Sequence, residues 1–276
     1  MNSVLIGLLA ETFVHPGRGQ NEGAIDLPVA REVATDYPFI AGSSFKGSLR
    51  DKAEHAWGAD SERVKDVFGK QDDAGGVLVS DARLLLLPVR SLDGAYKWAT
   101  CPHLLERLQR DLSRSNVADA SWAVPHDVHK KEALGKSNGQ SKLFLEERSF
   151  TVKDEVDDRI VDVLTALIVH DEAKQRLSEQ LIVLNDNDFA WFARYGLAVQ
   201  ARNVLEDETK TSQNLWYEET LPPDTLMYAL VSERNDSNAL RQVKTLFDER
   251  PYLQTGGNET VGQGWFAVEW LNGGAS

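Results

Sequence analysis

The chain has 276 residues, 42% of them hydrophobic and 26% charged, a composition that excludes a disordered, collagen-like or membrane-spanning protein. Its net charge of −13 and pI near 4.9 exclude a generally basic surface for nucleic acid, so affinity for an anionic ligand must come from backbone amides and a few placed cations. Cys101 is the single cysteine, which rules out an internal disulfide and a Cys-rich zinc site and points to a reducing cytoplasm.

Residues 4–10 are apolar, too short a run to cross a bilayer and without a basic leader, so residues 4–12 predict a first strand and no membrane association. Residues 15–38 form a long excursion punctuated by Gly and Pro, of the kind that is usually functional when it occurs in a compact chain. A helix follows, with Phe45, Leu49, Ala53 and Trp57 spaced four apart on one face, Ser43 or Ser44 as N-cap and Gly58 as stop. Residues 77–87 read as a strand, and 91–150 as a mixed, loop-rich insertion with a soft tract at 135–141. Residues 160–169 fit strand or helix equally, 172–181 a helix and 182–184 a strand. Asn185 to Asp188 cap a helix that runs to Tyr195.

Strand-like runs at 197–204 and 215–220 flank the polar segment 206–214, which predicts a projecting hairpin. Val204, Leu205, Leu215 and Trp216 are expected to brace its root. A strand at 226–232, a glycine-rich loop at 254–264 and a last strand at 265–271 complete the chain. Strands and helices are interspersed without strict alternation, which defines an α+β fold.

Two segments carry chemistry. In the first, Gly42, Ser43, Ser44, Phe45, Lys46, Gly47 and Arg50 open a helix. Free N–H groups and the helix dipole favour an anion there, Gly42 and Gly47 permit close approach, and Lys46 and Arg50 share a face. The competing reading is an ordinary capped helix with solvated cations. The second runs from Gln254 through Gly256, Gly257, Asn258, Gly262 and Gly264 to Trp265, a loop able to wrap a ligand with main-chain amides, or else a tight turn before the last strand. Both have Walker-like spacing but lack the Lys-Ser/Thr ending, which disfavours a small-molecule phosphate enzyme. His126 and His129 with Asp127 make a poor metal set. Trp191 and Trp216 are candidates for base stacking or for core packing.

Together the two segments resemble the signatures of the RAMP superfamily of CRISPR proteins. The run Gly23-Ala24-Ile25-Asp26-Leu27-Pro28-Val29-Ala30-Arg31-Glu32, with Tyr37-Pro38-Phe39-Ile40, resembles the type III-B (Cmr) backbone subunits in particular. So do Leu215-Trp216-Tyr217-Glu218-Glu219-Thr220-Leu221-Pro222 and Gly256-Gly257-Asn258-Glu259-Thr260-Val261-Gly262. The resemblance implies one RAMP domain over residues 1–276: a modified RRM-like (ferredoxin-like) palm, finger insertions at about 91–150 and a thumb hairpin at about 197–220. It further implies copies stacked as a helical filament on crRNA beside other Cmr complex subunits, each thumb wedged into the guide–target duplex, with complementary target RNA cut at regular intervals.

Asp26 matches the family's cleavage aspartate, with a loosely bound divalent metal (Mg or Mn) as cofactor; a carboxylate on a loop suits such a hard cation. His15 and Arg18, upstream on the excursion, are candidates for acid/base work or a phosphate clamp, with ordinary loop residues as the alternative. Glu218 falls where the family has a second functional carboxylate, although Thr220 stands where the family has an aromatic. The RNA-binding set is Arg18, Gly42, Ser43, Ser44, Lys46, Gly47, Arg50, Gly256, Gly257, Asn258, Gly262 and Gly264. A non-catalytic scaffold, and a metal-independent endonuclease that processes guide precursors, are the competing functions.

Overall fold

The computed structural model describes residues 2–19, 23–115, 121–136, 139, 141–235 and 237–271. In chain order its first half holds β1 (Ser3–Ala10), β2 (Phe39–Ile40), α1 (Gly42–Trp57), α2 (Glu62–Phe68), β3 (Val77–Val79), β4 (Ala82–Arg90), β5 (Tyr96–Thr100), α3 (Pro102–Arg114) and β6 (Glu132–Gly135). Then come β7 (Lys142–Leu145), β8 (Arg148–Val152), α4 (Asp158–Ala166), α5 (Asp171–Gln180), β9 (Leu181–Leu184) and α6 (Asp186–Tyr195). The last part is β10 (Ala198–Leu205), β11 (Ser212–Thr220), β12 (Leu226–Glu233), α7 (Ala239–Thr245), β13 (Tyr252–Gln254) and β14 (Trp265–Leu271). The fold is mixed α+β, as the interspersed elements predict.

β1 explains why its sequence is apolar without alternation. Ile6, Leu8 and Ala10 enter a core shared with α1, α2, α6 and α7, while Leu5 and Leu9 enter a second core shared with α3, α4 and α5. A strand covered by helices on both faces needs apolar residues at every position. It pairs antiparallel with β12 on one side and β14 on the other, and β12 pairs antiparallel with β4. The central order is therefore β14-β1-β12-β4, and β5, β9, β6, β8 and β7 extend the same twelve-stranded sheet beyond β4.

Three expectations change. The helix at 42 starts two or three residues earlier than Ser43 or Ser44 as N-cap would place it: Ala41 is the N-cap and caps with no side chain. Asp81, on the turn after β3, does the capping from outside by accepting the Gly42 N–H at 2.7 Å. Residues 91–150 are not loop-rich, for they hold β5, the amphipathic α3 and β6 to β8. The tract at 160–169 resolves as α4, capped by Asp157, whose side chain accepts the Arg159 N–H at 2.9 Å. Parts of the excursion (20–22) and of the soft tract (137, 138 and 140) lie outside the described residues.

β10 and β11 form a separate two-stranded sheet, with Ala198 opposite Thr220 at its root. Val204, Leu205 and Leu215 do not brace that root. They lie at the outer half of the hairpin and stay about half exposed, at 44%, 49% and 53%. The root is held instead by Thr220, Glu219 and Glu218, which are buried.

Candidate functional site

The excursion after β1 folds back on itself through a Gly17–Val29 bridge, with Ala30 N donating to Pro16 O at 2.6 Å. Its outer limb then runs beside β11. Leu27 N donates to Tyr217 O at 3.1 Å, and Glu219 N donates to Leu27 O at 3.0 Å. That register sets Asp26 at the root of the hairpin, where its Oδ2 accepts the Tyr217 N–H at 2.8 Å. The carboxylate is exposed. A short loop tied to a strand edge gives this acid a fixed position while leaving it open to a ligand.

His15 and Glu218 meet at the same hairpin root. Glu218 is 2% exposed; its Oε2 accepts from Arg202 Nε at 3.2 Å and its Oε1 accepts from the Asn258 amide. Asn258 also donates to Gln263 Oε1 at 2.9 Å. His15 Nδ1 lies 2.8 Å from the Glu219 carbonyl and 3.5 Å from Glu218 Oε1. Both neighbours are acceptors, so in the neutral ring Nδ1 carries the proton and Nε2, on the Gly17 side, is the acceptor.

The two signature segments, far apart in sequence, line one cleft of about 600 Å³: Ser44, Gly47 and Ser48 from α1, and Gln254, Gly256 and Gly257 from the loop, with His15 and Gly17 between them. Gly47 leaves this wall open, since nothing lies within 4 Å of where its Cβ would be. Gly42 serves packing, its Cβ position being 3.0 Å from the Val79 carbonyl oxygen. Gly256 has φ +96°, and a Cβ there would lie 2.9 Å from His15 O, so only glycine lets the loop close on the excursion. Gly257 N donates to that carbonyl at 2.9 Å and Gly264 N to Phe13 O at 2.8 Å. Gly262, also at positive φ, ends a short 3-10 turn at Glu259–Val261.

The two cations of α1 differ. Arg50 is engaged inside the molecule, donating Nε to Glu54 at 2.7 Å and Nη1 to Gly69 O at 3.0 Å. Lys46 is half-buried, and burial together with the nearby Arg50 charge holds its ammonium below the usual lysine range. Ser43 and Arg18 are exposed. Trp191 packs edge-on against Phe192 with the Arg148 guanidinium 3.8 Å over its ring, the arrangement of a packed aromatic. Among the described residues no three His, Cys, Asp or Glu side chains gather as a metal cage. His126, Asp127 and His129 are exposed, and a hard divalent cation at Asp26 would need waters or ligand oxygens for the rest of its shell. No described helix is long and apolar enough to cross a membrane.

Sequence reasoning missed Arg31, Arg202, Glu219 and Gln263, which organise the site. Arg31, Glu219 and Gln263 lie within the quoted motifs without being singled out, and Arg202 lies on the strand-like run 197–204.

A mixed sheet with two glycine-rich segments converging on one cleft defines the class. The chain belongs to the RAMP superfamily, whose family model matches residues 8–267. Within that superfamily it is 32% identical to the CRISPR system Cmr endoribonuclease Cmr4 of Pyrococcus furiosus, over 97% of this chain and 95% of that protein. It is 25% identical to the CRISPR system CMR subunit Cmr4 of Saccharolobus solfataricus, over 95% and 94% respectively. The crystal structure of oligomeric Cmr4 from Pyrococcus furiosus superposes with a TM-score of 0.78 at 29% identity, covering 98% of both chains.

Proposed function

We propose that the chain is a guide-RNA-binding backbone subunit of a type III-B CRISPR effector complex, repeated along the crRNA beside other Cmr subunits, which cleaves complementary target RNA at regular intervals. The observation that carries this reading is the Asp26 carboxylate, exposed yet fixed to the hairpin root by the Tyr217 N–H. The Pyrococcus furiosus relatives, one named an endoribonuclease and one solved as an oligomer, support cleavage and self-assembly. The order β14-β1-β12-β4, with α1 and α7 in its two crossovers, supports an RRM-like palm. The β10–β11 hairpin suits a thumb, and the strands added beyond β4 suit finger insertions.

In this reading the cleft holds the guide backbone with the Gly256 amide and the Ser44 and Ser48 hydroxyls, while the Gly257 N–H closes the loop on His15 and Lys46 supplies a cation from α1 outside the cleft lining. Asp26 would hold a loosely bound Mg or Mn ion, which when bound would stabilise charge on the scissile phosphate and favour attack by a ribose 2′-OH. Tyr217 N–H occupies one Asp26 oxygen and fixes its orientation. His15, with Nδ1 turned to the Glu219 carbonyl, offers Nε2 as a proton acceptor, and Glu218 with Arg202 and Asn258 holds the ring against the loop.

Asp26→Asn keeps the size and removes the charge. A complex reconstituted with it should assemble and bind guide RNA normally, while target cleavage falls on the order of 100-fold or more. EDTA should abolish wild-type cleavage. Cleavage at the wild-type rate by Asp26→Asn would mean that Asp26 is not the cleaving acid.

A further inference from the structure

We infer that Glu219 and Arg31 are positioning residues for the cleavage reaction, a buried clamp that sets where the Asp26 carboxylate sits. The inference rests on Asp26 being the cleaving acid.

Glu219 is 4% exposed and uses every polar atom it has. Its Oε1 accepts from Arg31 Nη2 at 2.7 Å, and its Oε2 accepts the Val29 N–H at 3.1 Å. Its own N–H goes to Leu27 O at 3.0 Å, and its carbonyl faces His15 Nδ1 at 2.8 Å. Arg31 completes the clamp by donating Nη1 to Asp36 O and to Ala193 O, each at 2.8 Å, the latter on α6. One residue thus holds positions 27, 29 and 31, the segment directly after Asp26.

The hairpin root and α6 have other means of staying in place. Phe189, Phe192 and Leu221 are fully buried in the apolar core. The loop bearing Asp26 is anchored in the core through Val29, but Asp26 is exposed and Leu27 and Pro28 are only half-buried. Between Val29 and the hairpin the position of Asp26 depends on hydrogen bonds, and the shortest of those from residues 26–31 to β11 ends on the Glu219 carboxylate. A carboxylate displaced by about 1 Å from a reacting phosphate costs on the order of 100-fold in rate. Binding of the guide, by contrast, uses the cleft on α1 and the glycine-rich loop, which neither charged group of the pair lines.

Glu219→Gln keeps an acceptor for Arg31 but turns an amide N–H toward the Val29 N–H, breaking that contact. Because it also leaves Arg31 buried without a counter-charge, a second variant is needed. Arg31→Met combined with Glu219→Gln removes both charges and leaves neither unpaired. Complexes reconstituted with each variant and with Asp26→Asn are compared for guide binding, for KM toward target RNA, for turnover at saturating target, and for amide exchange at Val29 and Tyr217. The clamp predicts guide binding and KM within about twofold of wild type, turnover lower by roughly 10- to 100-fold, and faster exchange at both amides.

Wild-type turnover in the paired variant, with Asp26→Asn inactive, overturns the clamp alone. Loss of assembly in both clamp variants, or a parallel loss of guide binding and turnover, also overturns it, since the pair would then be cement for the fold. If Asp26→Asn itself cuts at the wild-type rate, the reading of Asp26 fails and the clamp with it.

Discussion

Glu32 ties down the far end of the segment that carries Asp26. Burial pushes its carboxyl up, but two Arg107 hydrogen bonds at 2.8 and 2.9 Å and the Thr35 hydroxyl at 2.6 Å outweigh burial and hold it below the usual carboxylate range. A carboxyl whose pKa is lower in the folded state stabilises the fold above its unfolded pKa and loses that contribution as pH falls through the folded value. The bond to Arg107 is therefore fully effective at neutral pH and fades below about pH 4. Glu32→Gln should cost about 1 to 3 kcal/mol at pH 7, and the gap to wild type should narrow as pH drops below the carboxylate range. Urea denaturation at a series of pH values checks this; a gap that stays constant with pH would mean the Glu32 charge contributes nothing.

At the scale of elements, the hairpin separates what packs from what projects. Its root is buried through Glu218, Glu219 and Thr220, while Val204, Leu205 and Leu215 remain exposed farther out, as do Val199 and Tyr217 beside the root. The tip is closed only by local bonds, Glu206 N to Thr211 O and Lys210 N to Glu206 O, both 2.9 Å. Replacing residues 204–214 with a short Asn-Gly turn, which keeps Asn203 opposite Leu215, should thus leave a folded protein whose stability changes by less than about 1 kcal/mol. Complexes bearing it should bind guide RNA but lose the regular spacing of target cuts, read on a sequencing gel. An unaltered ladder would make the hairpin a surface ornament.

The hairpin, α1, α6 and β14 were legible in the sequence because periodicity, a cap or a glycine stop marked each one. α3 was not, since it begins at Cys101-Pro102 with no side-chain cap. Neither were β6 to β8, at four or five residues each too short to show a pattern. Of the site, the motifs revealed Asp26, His15, Glu218 and the two glycine-rich walls as candidates. The Arg31–Glu219 pair joins residues 188 positions apart, and among 43 acidic and 30 basic residues no single sequence singles out such a pairing.

Across the whole molecule, a net charge of −13 has to be reconciled with an RNA ligand. Long-range attraction is absent, so guide binding must be a contact phenomenon at the cleft, carried by amides, hydroxyls and very few cations. This differs from a basic nucleic-acid binder in its salt response. The slope of log K against log salt is about −0.7 per neutralised phosphate on a single strand, and a subunit with one or two contributing cations should show a slope between roughly −0.7 and −1.4. The structure distinguishes the two cations of α1. Lys46 has a pKa held down by burial and the neighbouring Arg50, so it gains most from a phosphate beside it. Arg50 is already committed to Glu54 and to the Gly69 carbonyl, which ends α2. Lys46→Ala should therefore weaken guide binding equally for all guide sequences and reduce the slope by about one phosphate's worth. Arg50→Ala should leave the slope nearly intact and instead loosen α1 from α2, costing about 1 to 2 kcal/mol of stability. A filter-binding salt titration of each variant, paired with a denaturation curve, separates the two roles. If Arg50→Ala flattens the slope as much as Lys46→Ala does, Arg50 leaves its internal partners when RNA arrives, and both cations face the guide.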